Sequence, residues 1–189
     1  MKFNLIVAGY GGQGVLSLAE IIGRAAVEEG HEVRAVEVHG LSQRGGALQC
    51  HVRFGEKIFS PLVRKGGADL IIALELLEGL RACYYANKKT VVLTDLKFLS
   101  PNPIDERKSA SEILKEMEKF ARVEKVNASE IVEEITGEAA MSNIFMLGYA
   151  LKKGLLPLKE ENVWKAVTMK IRPQFIEMNK KVFEKALKM

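Results

Sequence analysis

Two glycine-rich segments near the N-terminus contain the residue types best suited to binding an anion. The first segment reads Gly9-Tyr10-Gly11-Gly12-Gln13-Gly14. It has the G-x-G-x-x-G spacing and stands between a predicted strand and a predicted helix, which is the context that a phosphate-binding turn requires. Glycines there permit a tight turn and let backbone N–H groups approach an anion at the positive end of the helix. We therefore predict an anion site at the Gly11–Gly14 amides, with Gly9 and Gln13 in the same loop. A tight turn that binds nothing is the alternative.

The second segment follows the second predicted strand, where the ligand crevice of an open α/β sheet lies. It reads His39-Gly40-Leu41-Ser42-Gln43-Arg44-Gly45-Gly46. The guanidinium of Arg44 would give a carboxylate or phosphate a forked pair of donors. The amides of Gly45 and Gly46 would approach the same anion closely, because glycine carries no side chain. The alternative is a long polar loop without a ligand.

His39, Ser42 and Gln43 complete the predicted binding set in this second segment. A loop histidine without an assigned carboxylate is expected to donate or accept hydrogen bonds and not to act as a general base. Ser42 has no visible base or orienting acid, which a serine nucleophile needs. The sequence therefore assigns no catalytic residue.

Glu37 supports a different function for the first loop. It stands about 20 residues beyond Gly14, near the end of the second predicted strand, where dinucleotide-binding proteins place the acid that holds a ribose. A free-standing Rossmann-like oxidoreductase binding NAD(P) or a flavin is therefore an alternative, although no substrate half follows the nucleotide half. A regulatory nucleotide-sensing module is a third class.

Composition restricts the class of protein. The chain has 189 residues, of which 48% are hydrophobic, and a net charge of +4. These values are typical of one globular domain, predicted here as residues 1–189, and they exclude a disordered or low-complexity chain. No apolar run approaches the roughly 18 residues of a membrane helix, so we expect no membrane partner. Phe3–Ala8 is predicted to be a first strand and not a signal peptide, which indicates a cytoplasmic protein.

Cysteine and charged residues limit the cofactors and partners. Cys50 and Cys83 are the two cysteines, and no CxxC motif occurs. Iron–sulfur clusters and structural zinc normally take four ligands, mostly thiolates, so we expect no metal in this chain and two reduced, buried thiols. The basic residues after Lys152 are interpreted as a solvated helical face, and no nucleic-acid motif appears. Abundant Lys and Glu with few Gln favour a thermophilic source.

Strand and helix patterns alternate along the first two thirds of the chain. Strands are predicted at Phe3–Ala8, Glu32–Val38, Ala47–Phe54, Asp69–Leu74, Thr90–Thr94 and Val123–Val126. Helices are predicted at Gln13–Glu29, Leu76–Ala86, from a cap at Ser109 or Ser111 to Phe120, from a cap at Ser129 to Glu133, and at Ser142–Lys153, Lys159–Lys170 and Pro173–Lys188. Ala47–Phe54 is predicted to turn through Gly55-Glu56 into a hairpin with Lys57–Ser60. The pattern indicates an α/β fold: a layered, mostly parallel sheet with a central hairpin and a C-terminal helical extension from about residue 142.

The two glycine segments together resemble the gamma-type domain of 2-oxoacid:ferredoxin oxidoreductases. The residues that carry the resemblance are Gly9–Val15, Val36–Gly46, Ser60-Pro61-Leu62, Ala68–Ala73 and Asn143–Gly148. The His39–Gly46 stretch is most similar to the small (beta) subunit of the branch of this family that acts on indolepyruvate. The resemblance covers Phe3 to about Met146, and the residues after Pro157 match only in length and helical character.

The resemblance implies an activity and a set of partners. The family oxidatively decarboxylates a 2-oxoacid with coenzyme A (CoA) as co-substrate and reduces ferredoxin. Thiamine diphosphate and iron–sulfur clusters supply the difficult chemistry and are expected on a large partner subunit. This chain is then a non-cluster subunit of a heteromer and is inactive alone. Whether its glycine loop meets CoA, the 2-oxoacid or the partner stays open.

Overall fold

The computed structural model describes residues 1–40, 46–99 and 109–189 and contains a six-stranded sheet with helices on both faces. The strands are β1 (Lys2–Tyr10), β2 (Glu32–His39), β3 (Ala47–Gly55), β4 (Leu70–Ala73), β5 (Val91–Asp95) and β6 (Arg122–Val126). The helices are α1 (Val15–Glu28), α2 (Leu76–Ala82), α3 (Ala110–Glu118), α4 (Ala128–Thr136), α5 (Ser142–Lys152), α6 (Glu160–Lys170) and α7 (Ile176–Leu187).

The spatial order of the sheet is β2-β3-β1-β4-β5-β6. β3 runs antiparallel to both of its neighbours, and β1, β4, β5 and β6 are parallel to one another. All four residues of β4 are buried, as expected for a parallel strand with helices on both faces. The predicted α/β class with a mostly parallel sheet is confirmed.

The predicted hairpin between Ala47–Phe54 and Lys57–Ser60 is wrong in its second arm, because Lys57–Ser60 forms no strand. β3 already pairs with β2 along one edge and with β1 along the other, so neither edge is free for a third strand. The segment after β3 instead forms a loop without regular secondary structure, with Ile58 buried and its N–H donating to Glu32 Oε2 at 3.1 Å.

Successive side chains of β1 point to opposite faces of the sheet, and the core has one layer on each face. Leu5 and Val7 contact the layer built with α1 and the C-terminal helices, whereas Ile6 and Ala8 face the layer built with α2 and α3. The C-terminal helices expected from about residue 142 belong to the first layer. α5 is buried almost all round, and Gly148 lets it pack closely on α7, because a Cβ there would lie 3.0 Å from Ala186 Cβ.

Two predicted helix caps have different outcomes. Ser109, and not Ser111, caps α3 in a capping box with Glu112. The prediction of Ser129 as a cap is wrong, since α4 begins at Ala128 and Ser129 lies inside its first turn. Its N–H and hydroxyl donate to the carboxylate of Asp95, which ends β5. Burial raises the pKa of Asp95, and these hydrogen bonds oppose that effect.

No helix among the described residues combines the length and the apolarity needed to cross a membrane.

The predicted helix at Leu76–Ala86 is shorter than expected: α2 ends at Ala82 and a single 3-10 turn, Cys83–Tyr85, follows.

Candidate anion-binding site

The two glycine segments meet through one backbone hydrogen bond. The N–H of Gly11 donates to the carbonyl of Gly46 at 3.0 Å, which joins the turn after β1 to the start of β3. On the other side of the second segment, the N–H of Gly40 donates to Ala47 at 3.4 Å. The predicted site residues Ser42, Gln43, Arg44 and Gly45 lie outside the described residues and stay predictions.

Gln13 braces the glycine loop from inside. Its Oε1 accepts the N–H of Tyr10 at 2.7 Å, and its Nε2 donates to the carbonyl of Leu74 at 3.1 Å. A Cβ on Gly9 would lie 2.8 Å from that Oε1 and 2.9 Å from Val15 Cγ2. Gly9 is therefore needed for close packing, and Gln13 fixes the loop to the residue that follows β4.

The amides of the loop fall into two groups. The N–H groups of Gly11 and Gln13 are used inside the fold, by the carbonyls of Gly46 and Tyr10. The N–H groups of Gly12 and Gly14 have no acceptor among the described residues. They precede the first turn of α1, whose own N–H groups have no intrahelical partner. Of the four amides predicted to bind an anion, only those of Gly12 and Gly14 are therefore available, together with the N–H groups at the start of α1.

Both of these glycines have backbone conformations that other residues rarely adopt. Gly12 has φ +99° and is exposed, and a Cβ there would meet nothing within 4 Å. Gly14 has φ +81° and lies against Asn143 of α5. Glycine therefore keeps the Gly12 amide open to solvent, which is the geometry that an approaching anion needs.

His39 ends β2 at the surface of the molecule. Its Nδ1 lies 3.3 Å from the carbonyl of Gly40, and no carboxylate among the described residues orients its ring. The role predicted for His39, as a hydrogen-bonding residue of the anion site, stays a prediction.

Glu37 lies away from the glycine loop. β3 stands between β1 and β2, so Glu37 is two strand spacings, or about 10 Å, from the edge of β1. Its partner in register is Cys50 of β3. In dinucleotide-binding folds the corresponding acid is on the strand adjacent to the loop. The sheet order therefore removes the geometric support for a ribose contact from Glu37.

A buried polar cluster that the sequence did not predict lies beside the loop, where β1 and β4 end. Glu75 and Glu78 are both fully buried. The carboxylate of Glu75 accepts the N–H of Glu78 at 2.8 Å and that of Leu99 at 3.0 Å, while Glu78 forms an ion pair with Arg81. The Tyr10 hydroxyl is buried next to them.

The charges of this cluster are governed by burial. Burial raises the pKa of Glu75, against the hydrogen bonds from Leu99 and Glu78. Burial also raises the pKa of Tyr10, with a further increase from the Glu78 charge. The sequence signal was an acidic residue directly between the apolar β4 and a helix, the position of an N-cap. Such a residue is read as a cap, and its burial follows only from the fold.

The two cysteines do not fit an iron–sulfur cluster. Cys50 belongs to the core layer with α1 and Cys83 to the layer with α2, so the sheet separates them. Both are free and buried, as expected, and burial raises the pKa of Cys50 to about 12 and that of Cys83 to about 11. Thiolates are the ligands that clusters require, and these groups are held as thiols. Within residues 1–40, 46–99 and 109–189, no three His, Cys, Asp or Glu side chains are grouped as a metal site.

The chain is similar to proteins of known class. A sequence profile described as pyruvate ferredoxin/flavodoxin oxidoreductase matches residues 4–189. The indolepyruvate oxidoreductase subunit IorB of Archaeoglobus fulgidus is 37% identical over 189 residues, covering 97% of this chain and 93% of that protein.

Solved structures share its fold. The gamma subunit of a keto/oxoacid ferredoxin oxidoreductase from Geobacter sulfurreducens PCA superposes with a TM-score of 0.72 and 21% identity, over 98% of this chain and 96% of that chain. The 2-oxoglutarate:ferredoxin oxidoreductase of Magnetococcus marinus, solved with 2-oxoglutarate, coenzyme A and succinyl-CoA bound, gives a TM-score of 0.75 and 19% identity. That likeness covers 98% of this chain and 30% of the larger one.

Proposed function

Because the chain belongs to the pyruvate ferredoxin/flavodoxin oxidoreductase family, we propose that it is the non-cluster subunit of a heteromeric indolepyruvate (aryl pyruvate) ferredoxin oxidoreductase. Its role as an oxidoreductase subunit rests on the match over almost its full length. The substrate class rests on the 37% identity to a subunit named for indolepyruvate. Its partner is a large cytoplasmic subunit that carries thiamine diphosphate and iron–sulfur clusters.

The proposed reaction breaks the C1–C2 bond of the 2-oxoacid and releases carbon dioxide. The acyl carbon forms a thioester with the sulfur of CoA, which loses its proton. Two electrons leave one at a time and reduce two ferredoxins. Thiamine diphosphate and the clusters, when bound on the partner, supply the carbanion and electron-transfer chemistry. Cys50 and Cys83 are buried on opposite sides of the sheet, so no electron step is assigned to this chain.

The role proposed for this chain is to bind the phosphates of CoA. The observation that carries it is the hydrogen bond from Gly11 to Gly46, because it brings the two glycine segments to one place. The N–H groups of Gly12 and Gly14, which have no acceptor among the described residues, are the proposed donors to the ligand at the positive end of α1. Arg44, two residues before Gly46 in the sequence, is the proposed source of a forked donor. CoA bound to the similarly folded Magnetococcus enzyme supports this choice of anion.

Reconstitution with the large subunit tests the proposal. The chain and the large subunit from the same genome are purified separately and mixed, and ferredoxin reduction is measured with indolepyruvate and CoA. We expect activity that requires both subunits and CoA. Equal activity without this chain, or activity with pyruvate and none with aryl pyruvates, would contradict the proposal. A phosphate-free pantetheine thiol serves as the control for the phosphate contacts, and it should require a much higher concentration than CoA.

A further inference from the structure

The segment after β3 displays apolar side chains between two buried anchors. Ile58 and Val63 are both in the core. Between them, Phe59 is 82% exposed and Leu62 is 54% exposed. Large apolar side chains grouped in water are unfavourable for an isolated chain and mark surfaces that another molecule covers.

Hydrogen bonds hold the backbone of this segment in place. Arg53 Nη1 donates to the carbonyl of Ser60 at 2.7 Å and to that of Leu62 at 3.1 Å. The N–H of Val63 donates to Nδ1 of the buried His51 at 3.0 Å. The backbone that carries Phe59 and Leu62 is therefore ordered before a partner binds, which lowers the conformational entropy lost on association.

A second exposed aromatic residue extends this surface. Tyr84 is 59% exposed, and the ammonium of Lys65 lies 5.3 Å from the centre of its ring. A groove of about 510 Å³ continues from Lys65 and Tyr84 to the exposed Phe120. Tyr84 also packs edge-on against Tyr85, with ring centres 5.0 Å apart, so its position is supported from the core.

Three cations of the same segment have no carboxylate partner among the described residues. Among the described residues, Lys57, Arg64 and Lys65 form no ion pair, and Lys57 instead lies 5.1 Å above the ring of Phe59. The whole chain carries a net charge of +4. A second copy on a two-fold axis would bring these cations against their own equivalents, which is unfavourable. An acidic surface on a different chain would neutralise them.

We propose that Phe59, Leu62, Lys65 and Tyr84 form a docking face through which this chain binds an acidic, apolar-centred surface of the large subunit. The inference rests on the proposed function, because that function supplies the partner. Phe59, Leu62 and Tyr84 fill the desolvated centre of the contact. Lys57, Arg64 and Lys65 lie at its rim, where charge complementarity raises the association rate.

Binding of the chain to the purified large subunit tests the docking face. The double variant Phe59→Ser/Leu62→Ser should raise the dissociation constant at least tenfold, as measured by biolayer interferometry. The matched control is Val27→Ser/Met169→Ser, which changes two residues of similar exposure, 58% and 56%, on α1 and α6. These helices pack on the opposite layer of the sheet, so the control should bind within a factor of two of the wild type.

A charge reversal provides a second, independent variant. Lys65→Glu should slow association at least tenfold at low salt, with a smaller effect at high salt because the attraction is screened. Lys180→Glu, an exposed lysine on α7, is the control and should leave the rate nearly unchanged. Circular dichroism melting confirms that each variant is folded.

The outcomes separate the docking face from the proposed function. If wild type binds and the Phe59→Ser/Leu62→Ser and Lys65→Glu variants bind equally well, the docking face is wrong and the proposed function stands. If wild type does not bind the large subunit at all, both are overturned. If the isolated wild-type chain is a dimer and the double variant is a monomer, the occupant is a second copy and the proposal is again overturned.

Discussion

The side-chain amide of Asn143 lies against the backbone of Gly14, so the start of α5 touches the start of α1. Asn143 Nδ2 is 3.4 Å from the Gly14 carbonyl, and a Cβ on residue 14 would lie 2.9 Å from Asn143 Cγ. Gly14 also has φ +81°. Glycine is therefore required at this position both by the backbone conformation and by the neighbouring side chain.

Gly14→Ala is expected to lower the free energy of unfolding by more than the strain of the left-handed conformation, which is about 1–2 kcal/mol. The additional loss comes from moving Asn143 away from the new methyl group. Urea unfolding measures the difference. Gly30→Ala is the matched control, because Gly30 has φ +79° and a Cβ there meets nothing within 4 Å. Equal losses for the two variants would show that the Asn143 contact contributes nothing.

Gly12→Val is expected to weaken CoA binding to the reconstituted enzyme at least tenfold, or about 1.4 kcal/mol. The branched side chain would cover the free amides at the start of α1, whereas its Cβ meets nothing within 4 Å. Gly30→Val carries similar backbone strain away from the loop and serves as the control. Isothermal titration with CoA measures the affinity per folded molecule. Unchanged affinity with lowered stability would mean that the loop is only a tight turn.

The stability of the chain is expected to fall as the pH drops below about 6.5, partly because of His51. His51 is fully buried, and its Nδ1 accepts the N–H of Val63, which requires the neutral ring. Burial, and then the charge of Arg53, lowers the pKa of His51. The unfolded chain, with an ordinary histidine pKa of about 6.5, therefore binds a proton more readily than the folded chain does. The contribution is fully present above that pH and is lost as the pH falls towards the folded value.

Denaturant unfolding at several pH values between about 5 and 8 checks this prediction. His51→Gln cannot titrate, so its unfolding free energy should change less over this interval than that of the wild type, whatever its absolute stability. Parallel curves for wild type and variant would show that other groups cause the acid dependence.

The central parallel strand β4 is predictable because burial on both faces leaves a continuous apolar run. Asp69–Leu74 was predicted from such a run and contains β4, Leu70–Ala73. Strand pairing could not be predicted in the same way, since it depends on which strand edges are free in the folded sheet. The alternation of Ala47–Phe54 identified β3, but only the sheet shows that both of its edges are occupied and that Lys57–Ser60 has no strand to join.

The same distinction holds at the site. The glycine spacing located the turn between β1 and α1, yet it did not show which amides point inward. Gly11 and Gln13 are used by carbonyls of the fold, and Gly46, the acceptor for Gly11, is distant in sequence. In the sequence, Glu75 looks like an ordinary helix cap and Glu78 like an ordinary first-turn acid. Their complete burial depends on how α2 packs against β1 and α3, which local patterns do not encode.

The isolated chain is expected to be colourless and inactive. Its cysteines are buried as thiols on opposite sides of the sheet, so they cannot together ligate a cluster. An absorbance spectrum of the purified chain and an assay of 2-oxoacid-dependent dye reduction, each with and without the large subunit, test this. A bound flavin or iron–sulfur spectrum, or dye reduction by the chain alone, would refute the expectation.

The guanidinium of Arg53 is expected to control how well the docking face is prepared for its partner. Arg53 bridges two carbonyls, Ser60 and Leu62, and its Nε also donates to Asn4 Oδ1 at 2.8 Å. A lysine ammonium is a single point charge and cannot reproduce this planar set of contacts. Arg53→Lys should therefore loosen the backbone around Phe59 and speed chymotrypsin cleavage there several-fold.

The same variant should slow association with the large subunit, because the segment must be ordered at the moment of binding. Arg24→Lys is the control, since Arg24 forms an exposed pair with Glu20 on α1 and contacts nothing near the docking face. Proteolysis and association rates are measured on both variants under identical conditions. If Arg53→Lys is cleaved faster but associates normally, the segment is rigid for reasons unrelated to docking. If it is cleaved at the wild-type rate, the buried side chains of Ile58 and Val63 are sufficient to keep the segment between them ordered without Arg53.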